Sequence, residues 1–110
     1  MERFIKGEVI VIPFPFSDLS GNKRRPALVL SELSGDDIIL CQITSQNSSR
    51  DPYSISLDEN DFVNGSIMQA SNIRPNRIFT ASKSLIVRKL GLISSNKYQQ
   101  VIDSIVDILT

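Results

Sequence analysis

The chain has 110 residues, a formal net charge of zero, no histidine, and ordinary fractions of hydrophobic and charged residues, 41% and 22%. This length fits one domain over residues 1–110 with a core of its own. No apolar run is long enough to span a bilayer, and the charged N-terminus does not resemble a secretory signal, so we expect a soluble, cytoplasmic protein without membrane contact. The lack of histidine excludes Ser-His-Asp and Cys-His nucleophiles, and no zinc-ligand spacing or phosphate-binding glycine loop is present. No metal or other cofactor is therefore expected.

The first half of the chain reads as strands and loops. A β-branched run at residues 9–12 ends at two prolines and predicts a first strand buried on both faces. The polar residues 17–23 predict a loop. Apolar runs at 26–30 and 38–43 flank Ser34-Gly35-Asp36-Asp37 and predict a hairpin. Residues 45–52 are polar and rich in turn formers, which predicts a mobile loop.

The second half continues with strands and ends in a helix. Strands are predicted at 53–57 and 66–73, followed by a turn at Arg74-Pro75-Asn76 and short strands near 78–79 and 85–87. After Ser94-Ser95, a natural N-cap, apolar residues recur at helical spacing to the C-terminus. Because closing a sheet of short strands removes its exposed edges, we expect a mainly β fold, a small barrel with a C-terminal α-helix.

The predicted hairpin brings one arginine and one threonine together. With the turn centred between Ser34 and Gly35, Arg25 faces Thr44 across the two strands, about 5 Å away at the backbone. A centre at Gly35 or just beyond moves each partner by a residue or two but keeps both at the same end of the hairpin. A guanidinium binds two phosphate oxygens at once, and a hydroxyl can add a further hydrogen bond. The pair is therefore a candidate phosphate site, although a strand-start charge and a β-branched strand residue would give the same pattern.

The basic residues are unevenly distributed, and the cysteine is single. No acidic residue lies between Asp61 and Asp103, where six cations fall, and Lys23-Arg24-Arg25 forms a second basic cluster. This predicts a local basic surface, unless distant carboxylates balance it. Cys41 lies in an apolar stretch without a second thiol, so core packing is its expected role.

Several segments resemble the MazF/PemK family of type II toxins. They are Gly7–Phe14, Arg24–Ser31, Gln42–Ser45, Ser71–Phe79 and Val87–Ile93 followed by a helix. The similarity covers nearly the whole chain. It implies an SH3-like barrel of the PemK/CcdB kind, a homodimer, and an endoribonuclease that cleaves single-stranded RNA without a metal and is inhibited by an antitoxin.

The resemblance also implies a mechanism in which the ribose 2′-hydroxyl attacks its own phosphate, with an arginine and a threonine in catalysis. The matching residues are Arg25 and Thr44, the pair that the hairpin brings together. A fixed guanidinium stabilises the charge that develops on the phosphoryl oxygens, and Thr44 would orient the phosphate. Asp18 is the first candidate for the general base and Glu8 the second.

Contacts to the RNA are expected from a wider set of residues. Cations hold flanking phosphates, and amides read the edges of unpaired bases. The candidates are Lys23, Arg24, Ser45, Gln46, Asn72 and Arg74.

Two departures from the family pattern concern these assignments. Some members rely on an Asp just upstream of the arginine that ends the fifth strand, but residues 69–74 contain no carboxylate. Residues 17–23 also lack the Gly-Ser-Glu run of other members.

The same barrel also resembles toxins that bind gyrase through a tryptophan-bearing C-terminus, whereas this chain has no tryptophan. An inactive member that only binds RNA is the third alternative.

Overall fold

The described part of the chain consists of strands and one long helix. A computed structural model describes residues 3–14, 23–45 and 51–110. Its elements are β1 Glu8–Phe14, β2 Lys23–Glu32, β3 Asp37–Thr44, β4 Ile55–Leu57, β5 Phe62–Gly65, β6 Ser71–Ser82, β7 Arg88–Ile93 and α1 Ser95–Leu109, with 3-10 turns at Glu59–Asp61 and Lys83–Leu85. Within these residues the strands form one sheet in the order β4-β6-β3-β2-β1-β7-β5, and every pairing is antiparallel. The predicted mainly β fold with a C-terminal helix is confirmed.

The sheet is strongly curled. β1 and β6 are separated by β2 and β3, so in a flat sheet they would lie about 14 Å apart. Nevertheless Phe14 of β1 and Phe79 of β6 make an edge-to-face contact with ring centroids 5.0 Å apart. The sheet therefore wraps round one of its own faces, as in a partly closed barrel.

Alternation along the strands divides the core into two clusters, one on each face of the sheet. The concave face carries the smaller cluster, which includes Ile10, Ile12 and Val29. The opposite face carries the larger cluster, in which Val101 and Ile105 of α1 pack against residues from most of the strands. Because both faces are covered, the central strands are buried on both sides, as the continuous apolar runs predict.

The β2–β3 hairpin forms as predicted, with one irregularity near its tip. Ala27 lies opposite Gln42 and Leu28 opposite Cys41, and the register shifts by one residue between Val29 and Ser31. The shift lies on the tip side of these pairs. The register at the start of β2 is therefore the one expected for a turn centred between Ser34 and Gly35.

The C-terminal helix begins at the predicted cap. Ser94 accepts a hydrogen bond from the Lys97 backbone N–H at 3.2 Å, which satisfies one of the free donors of the first turn. The Tyr98 hydroxyl donates to the Leu30 carbonyl oxygen at 2.6 Å, while Val101 is fully buried. These contacts fix α1 across the sheet.

Three predictions in the second half were wrong. Residues 74–76 do not form a turn, because β6 continues through them with a register shift opposite Cys41–Ile43. The predicted strand at 66–73 is a strand only from Ser71, and β5, which precedes it, was missed. The strand near 85–87 begins later, at Arg88, after a 3-10 turn.

Candidate functional site

The strand pairings bring Arg25, Thr44 and Asn72 to one end of the sheet. Arg25 lies opposite Ile12 in β1, and Thr44 lies opposite Asn72 in β6. Continuing the Ala27–Gln42 register by two residues sets Arg25 opposite Thr44. Since directly opposed residues share a face of the sheet, the three side chains project from the concave face, and all three are half-buried rather than sealed from solvent.

Arg25 has an unusual side-chain environment. Its Nε is buried and has no hydrogen-bond partner among the described residues. A buried donor without an acceptor is unfavourable, and such groups in native proteins commonly belong to sites that bind a ligand or an ion. The Nε of Arg25 therefore still needs an acceptor, and Arg25 lines the adjoining cleft.

This cleft has a volume of about 350 Å³ and adjoins the start of β2. Its lining includes four of the residues singled out in the sequence, Lys23, Arg24, Arg25 and Ser45. Lys23, Arg24 and Ser45 are exposed. The cleft therefore gathers the basic cluster with Ile43 and Ser45 into one positively charged surface, whereas Thr44 and Asn72 are not part of its lining.

Arg74 lies near the site but is held by another residue. Its Nε donates to the Asp51 carboxylate at 2.5 Å, and the side chains are only 16% and 7% exposed. Burial raises the pKa of Asp51, but the hydrogen bonds from the Tyr53 backbone N–H and from Arg74 lower it by more. The pKa of Asp51 therefore lies below its ordinary value. The charge of Arg74 is thus balanced by an ionised carboxylate.

Of the two candidate general bases, Asp18 and Glu8, the structure describes only Glu8. Asp18 lies outside the described residues, as does Gln46. Glu8 accepts a hydrogen bond from the Ile5 backbone N–H at 2.8 Å and pairs with Lys89 at 3.2 Å. It stands four strand positions from Ile12, the partner of Arg25, which corresponds to about 13 Å. Glu8 therefore braces the N-terminal segment and is too distant to accept a proton at Arg25.

Cys41 and Phe14 belong to the core. Cys41 is fully buried, and its thiol donates to the Arg74 carbonyl oxygen at 3.0 Å. Burial raises the pKa of the thiol to about 12, so it stays protonated and unreactive at neutral pH. Phe14 is 2% exposed, which leaves no face of its ring for a base to stack on.

Neither a cluster of metal-ligating side chains nor a membrane-length helix is found among the described residues. No group of three or more carboxylate or thiol side chains among the described residues is arranged to hold a metal ion. In the same part of the chain, no helical stretch combines bilayer-spanning length with an apolar sequence.

A family model agrees with this architecture. The model described as PemK-like, MazF-like toxin of type II toxin-antitoxin system matches residues 5–109. The chain belongs to this family. It is therefore a toxin of the type II toxin-antitoxin class, and the resemblance found in the sequence is confirmed. Among curated proteins, none matches the chain at a significant level.

Solved structures share the fold over nearly the whole chain. An endoribonuclease in complex with its cognate antitoxin from a mycobacterial species is 18% identical, with a TM-score of 0.72 over 99% of this chain and 95% of that one. The toxin MazF-mt6 of Mycobacterium tuberculosis is 14% identical, with a TM-score of 0.70 over 93% and 95%. A MazE-MazF structure from Deinococcus radiodurans is 21% identical, with a TM-score of 0.70 over 94% of both chains. At these identities the likeness establishes the fold.

Sequence reasoning missed two residues at this end of the molecule. Asp51 lies within the predicted polar loop at 45–52, and nothing in its neighbours indicates that it meets Arg74, 23 positions away. Arg88 was counted only as part of a basic interval, yet it lines the same cleft as Arg24 and Arg25. Its pairing with Val11 in β1 was the missing information.

Proposed function

We propose that this toxin is an endoribonuclease that cleaves single-stranded RNA without a metal, with Arg25 and Thr44 in catalysis. The supporting observation is the position of Arg25. It is a half-buried guanidinium with an unpartnered Nε, in the same cross-strand row as the Thr44 hydroxyl and beside a cleft lined by further cations. This combination suits a phosphodiester better than a neutral ligand.

In the proposed reaction the 2′-hydroxyl loses its proton to a base and its oxygen bonds to the adjacent phosphorus. The bond from phosphorus to the 5′-oxygen breaks, and the leaving oxygen takes up a proton. The products are a 2′,3′-cyclic phosphate and a free 5′-hydroxyl. Negative charge on the non-bridging oxygens is greatest in the transition state, so a guanidinium fixed beside them accelerates the reaction. Arg25 is permanently protonated, which suits charge stabilisation, and Thr44 orients the phosphate.

Asp18 stays our candidate for the base. The described alternatives are less suitable, since Glu8 is paired with Lys89 and Asp51 with Arg74. For RNA binding we propose Lys23, Arg24, Ser45, Gln46, Asn72 and Arg74. Arg74 acts there with Asp51 attached, so its contribution is one of hydrogen bonding more than of net charge.

We further propose that the toxin works as a cytoplasmic homodimer and is inhibited by a cognate antitoxin. Two of the structural relatives are complexes with an antitoxin. The end of α1 leaves Val106, Ile108 and Leu109 exposed, and exposed apolar patches commonly mark protein interfaces. Light scattering of the purified chain tests the dimer.

The decisive experiment incubates the protein with mixed-sequence single-stranded RNA in the presence of a chelator and determines the chemistry of the new ends. We expect cyclic-phosphate and 5′-hydroxyl ends. Arg25→Ala should lower the rate at least a hundredfold, the typical effect of removing a transition-state donor. Arg25→Lys keeps the charge but loses the planar fork. Its cleavage rate should therefore lie between those of wild type and Arg25→Ala. RNA that stays intact, with or without inhibition of gyrase supercoiling, contradicts the proposal.

A further inference from the structure

The cleft beside Arg25 continues past the start of β2 to Arg88 and Met68. Arg25 projects from the concave face, as do the residues opposite it. Its neighbours Arg24 and Pro26 alternate to the other face, where Arg88 lies opposite Val11 at the start of β7. Arg88 lines the cleft together with Ile67, Met68 and Leu90. The start of β2 thus connects the Arg25 site with a second surface.

Most cations elsewhere in the described chain form ion pairs, whereas the cations of this surface do not. Elsewhere, ion pairs with carboxylates hold the charged side chains of Arg3, Arg74, Lys83, Lys89 and Lys97. Lys23, Arg24 and Arg88 are exposed, and no ion pair joins them to any carboxylate of residues 3–14, 23–45 or 51–110. None of the described residues that line the cleft is acidic. Of the described cations without such an ion pair, Lys6 and Arg77 lie outside the cleft, whereas Lys23, Arg24, Arg25 and Arg88 all line it.

The far wall of the cleft offers an apolar contact. Ile67 is 8% exposed and belongs to the larger core cluster, whereas the next residue, Met68, is 95% exposed, the highest value among the large hydrophobic residues described. The segment is attached to β7, because the Ser66 backbone N–H donates to the Leu90 carbonyl oxygen at 3.2 Å. Ile67 anchors the segment while Met68 stands free beside the cations. A polarizable thioether of this kind packs well against aromatic rings.

We propose that this cleft binds the nucleotide next to the scissile linkage, with Arg88 on its phosphate and Met68 against its base. The inference rests on the proposed function in that the ligand is single-stranded RNA. Arg25 and Arg88 line the same cleft, so an RNA strand with one phosphate at Arg25 can present a neighbouring phosphate to Arg88. An unpaired base exposes a π-face to any apolar platform that it meets. Arg88 and Met68 supply the charge and the platform on one wall.

The test uses binding of uncleavable RNA. A mixed-sequence single-stranded 2′-O-methyl RNA cannot undergo 2′-hydroxyl attack, so its affinity can be measured over a series of salt concentrations. For Arg88→Ala, the slope of log K against log salt should become less steep by about 0.7, the value for one phosphate of a single strand. Arg88→Lys keeps the charge and should restore the slope. Lys6→Ala, which removes an exposed cation outside the cleft, should leave the slope unchanged.

A second measurement locates the base. A benzophenone attached to a Met68→Cys variant should crosslink to the RNA, and the native Cys41 does not interfere because it is buried and protonated. An unchanged slope in Arg88→Ala together with no crosslink overturns the inference, even when wild-type protein cleaves RNA. If Arg88→Ala weakens only binding of the antitoxin, the cleft belongs to that partner and the inference is again wrong. Binding with the expected slope but without cleavage supports the inference and contradicts the proposed nuclease.

Discussion

Thr44 contributes a β-branched side chain to the sheet and a hydroxyl to the proposed site, and one substitution separates the two. Valine has the same shape and an equal preference for strands, so Thr44→Val should preserve the pairing with Asn72. Loss of a hydrogen bond to a charged group costs about 1.5–3 kcal/mol, so we expect kcat to fall between about tenfold and a hundredfold. Steady-state cleavage of a defined RNA measures the change.

A matched substitution controls for this effect. Thr80 lies in the same sheet, exposed and opposite Ile39, away from the cleft. Thr80→Val should leave kcat unchanged and alter the melting temperature no more than Thr44→Val does. Full activity in Thr44→Val would remove Thr44 from the mechanism and leave Arg25 without its partner.

At the scale of elements, the pairing of β5 with β7 depends on the absence of a side chain at Gly91. A Cβ there would stand 2.4 Å from the Asn64 carbonyl oxygen and 2.9 Å from the Gly65 Cα. These are backbone atoms of the neighbouring strand, so they cannot move without separating β5 from β7. We expect Gly91→Ala to destabilise the fold by about 3 kcal/mol, at the upper end of overpacking costs, as measured by urea denaturation.

The hairpin tip supplies the comparison for Gly91. Nothing lies within 4 Å of a Cβ at Gly35, whose φ is +84°, so Gly35→Ala meets only backbone strain of about 1 kcal/mol. The two variants therefore separate steric exclusion from conformational strain. Equal destabilisation by both would mean that β5 can move away from β7 at little cost.

The Asp51–Arg74 ion pair attaches Asp51, the first residue described after position 45, to β6 near Asn72. Asp51→Asn keeps an acceptor for the Tyr53 N–H but leaves the Arg74 guanidinium without its counter-charge. We expect a loss of about 2 kcal/mol, less than for a fully buried pair because Arg74 keeps 16% of its side chain exposed. Asp103→Asn on the exposed face of α1 should change the free energy of unfolding by less than about 0.5 kcal/mol.

The pH dependence provides an independent check on Asp51. Its pKa in the folded state lies below the ordinary value, so the unfolded chain takes up a proton first as the pH falls. The stabilisation is present above the unfolded pKa, about 3.9, and is lost as the pH falls through the lower, folded value. The stability difference between wild type and Asp51→Asn should therefore shrink below about pH 4. A difference that stays constant down to pH 2 would mean that the ion pair contributes nothing to it.

The sequence predicted β2–β3 well and β5–β6 poorly for physical reasons. The turn at Ser34-Gly35 was enough to predict that Arg25 and Thr44 lie at the same end of the hairpin. Their direct opposition also needs the register shift between Val29 and Ser31, because the pairs at the tip are centred on Gly35. Arg74-Pro75-Asn76 has turn-forming composition, but a strand accepts proline where a register shift leaves its nitrogen outside the ladder. Such a shift depends on the partner strand. It cannot be seen in local composition.

Over the whole molecule, long-range contacts decided what sequence patterns could not. The cleft depends on β1 lying between β2 and β7, which brings Arg88 beside Arg24 although 64 positions separate them. The charge pattern alone showed only that cations outnumber carboxylates in one interval. The tertiary fold decides which cations are paired with a carboxylate, as are Lys83, Lys89 and Lys97. The basic cluster at 23–25 was predicted because its members are adjacent in the chain.

The N-terminal segment holds distant parts of the molecule together through Glu32. This carboxylate accepts the Phe4 backbone N–H at 3.0 Å and pairs with Arg3 and Lys83, each at 3.2 Å. The hydrogen bond from Phe4, and then the charges of Lys83 and Arg3, outweigh partial burial and lower the pKa of Glu32. Glu32 therefore stabilises the fold above its unfolded pKa, about 4.3, and loses that effect as the pH falls through the lower, folded value.

Glu32→Gln isolates this contribution, because glutamine keeps the shape and an acceptor for Phe4 but carries no charge. The variant should be less stable than wild type at pH 7, and the two urea midpoints should converge as the pH falls below about 4. Glu59→Gln, at an exposed carboxylate of a 3-10 turn, should follow the wild-type curve at every pH. If Glu32→Gln matches wild type at pH 7, the N-terminal segment is held by its apolar contacts and by Lys89, which lies 4.9 Å above the Phe4 ring and donates to the Arg3 carbonyl oxygen. Hydrogen exchange at the Phe4 amide then separates the two cases, because its protection should fall in the variant if the charge of Glu32 restrains the segment and should stay at the wild-type value if the apolar contacts do.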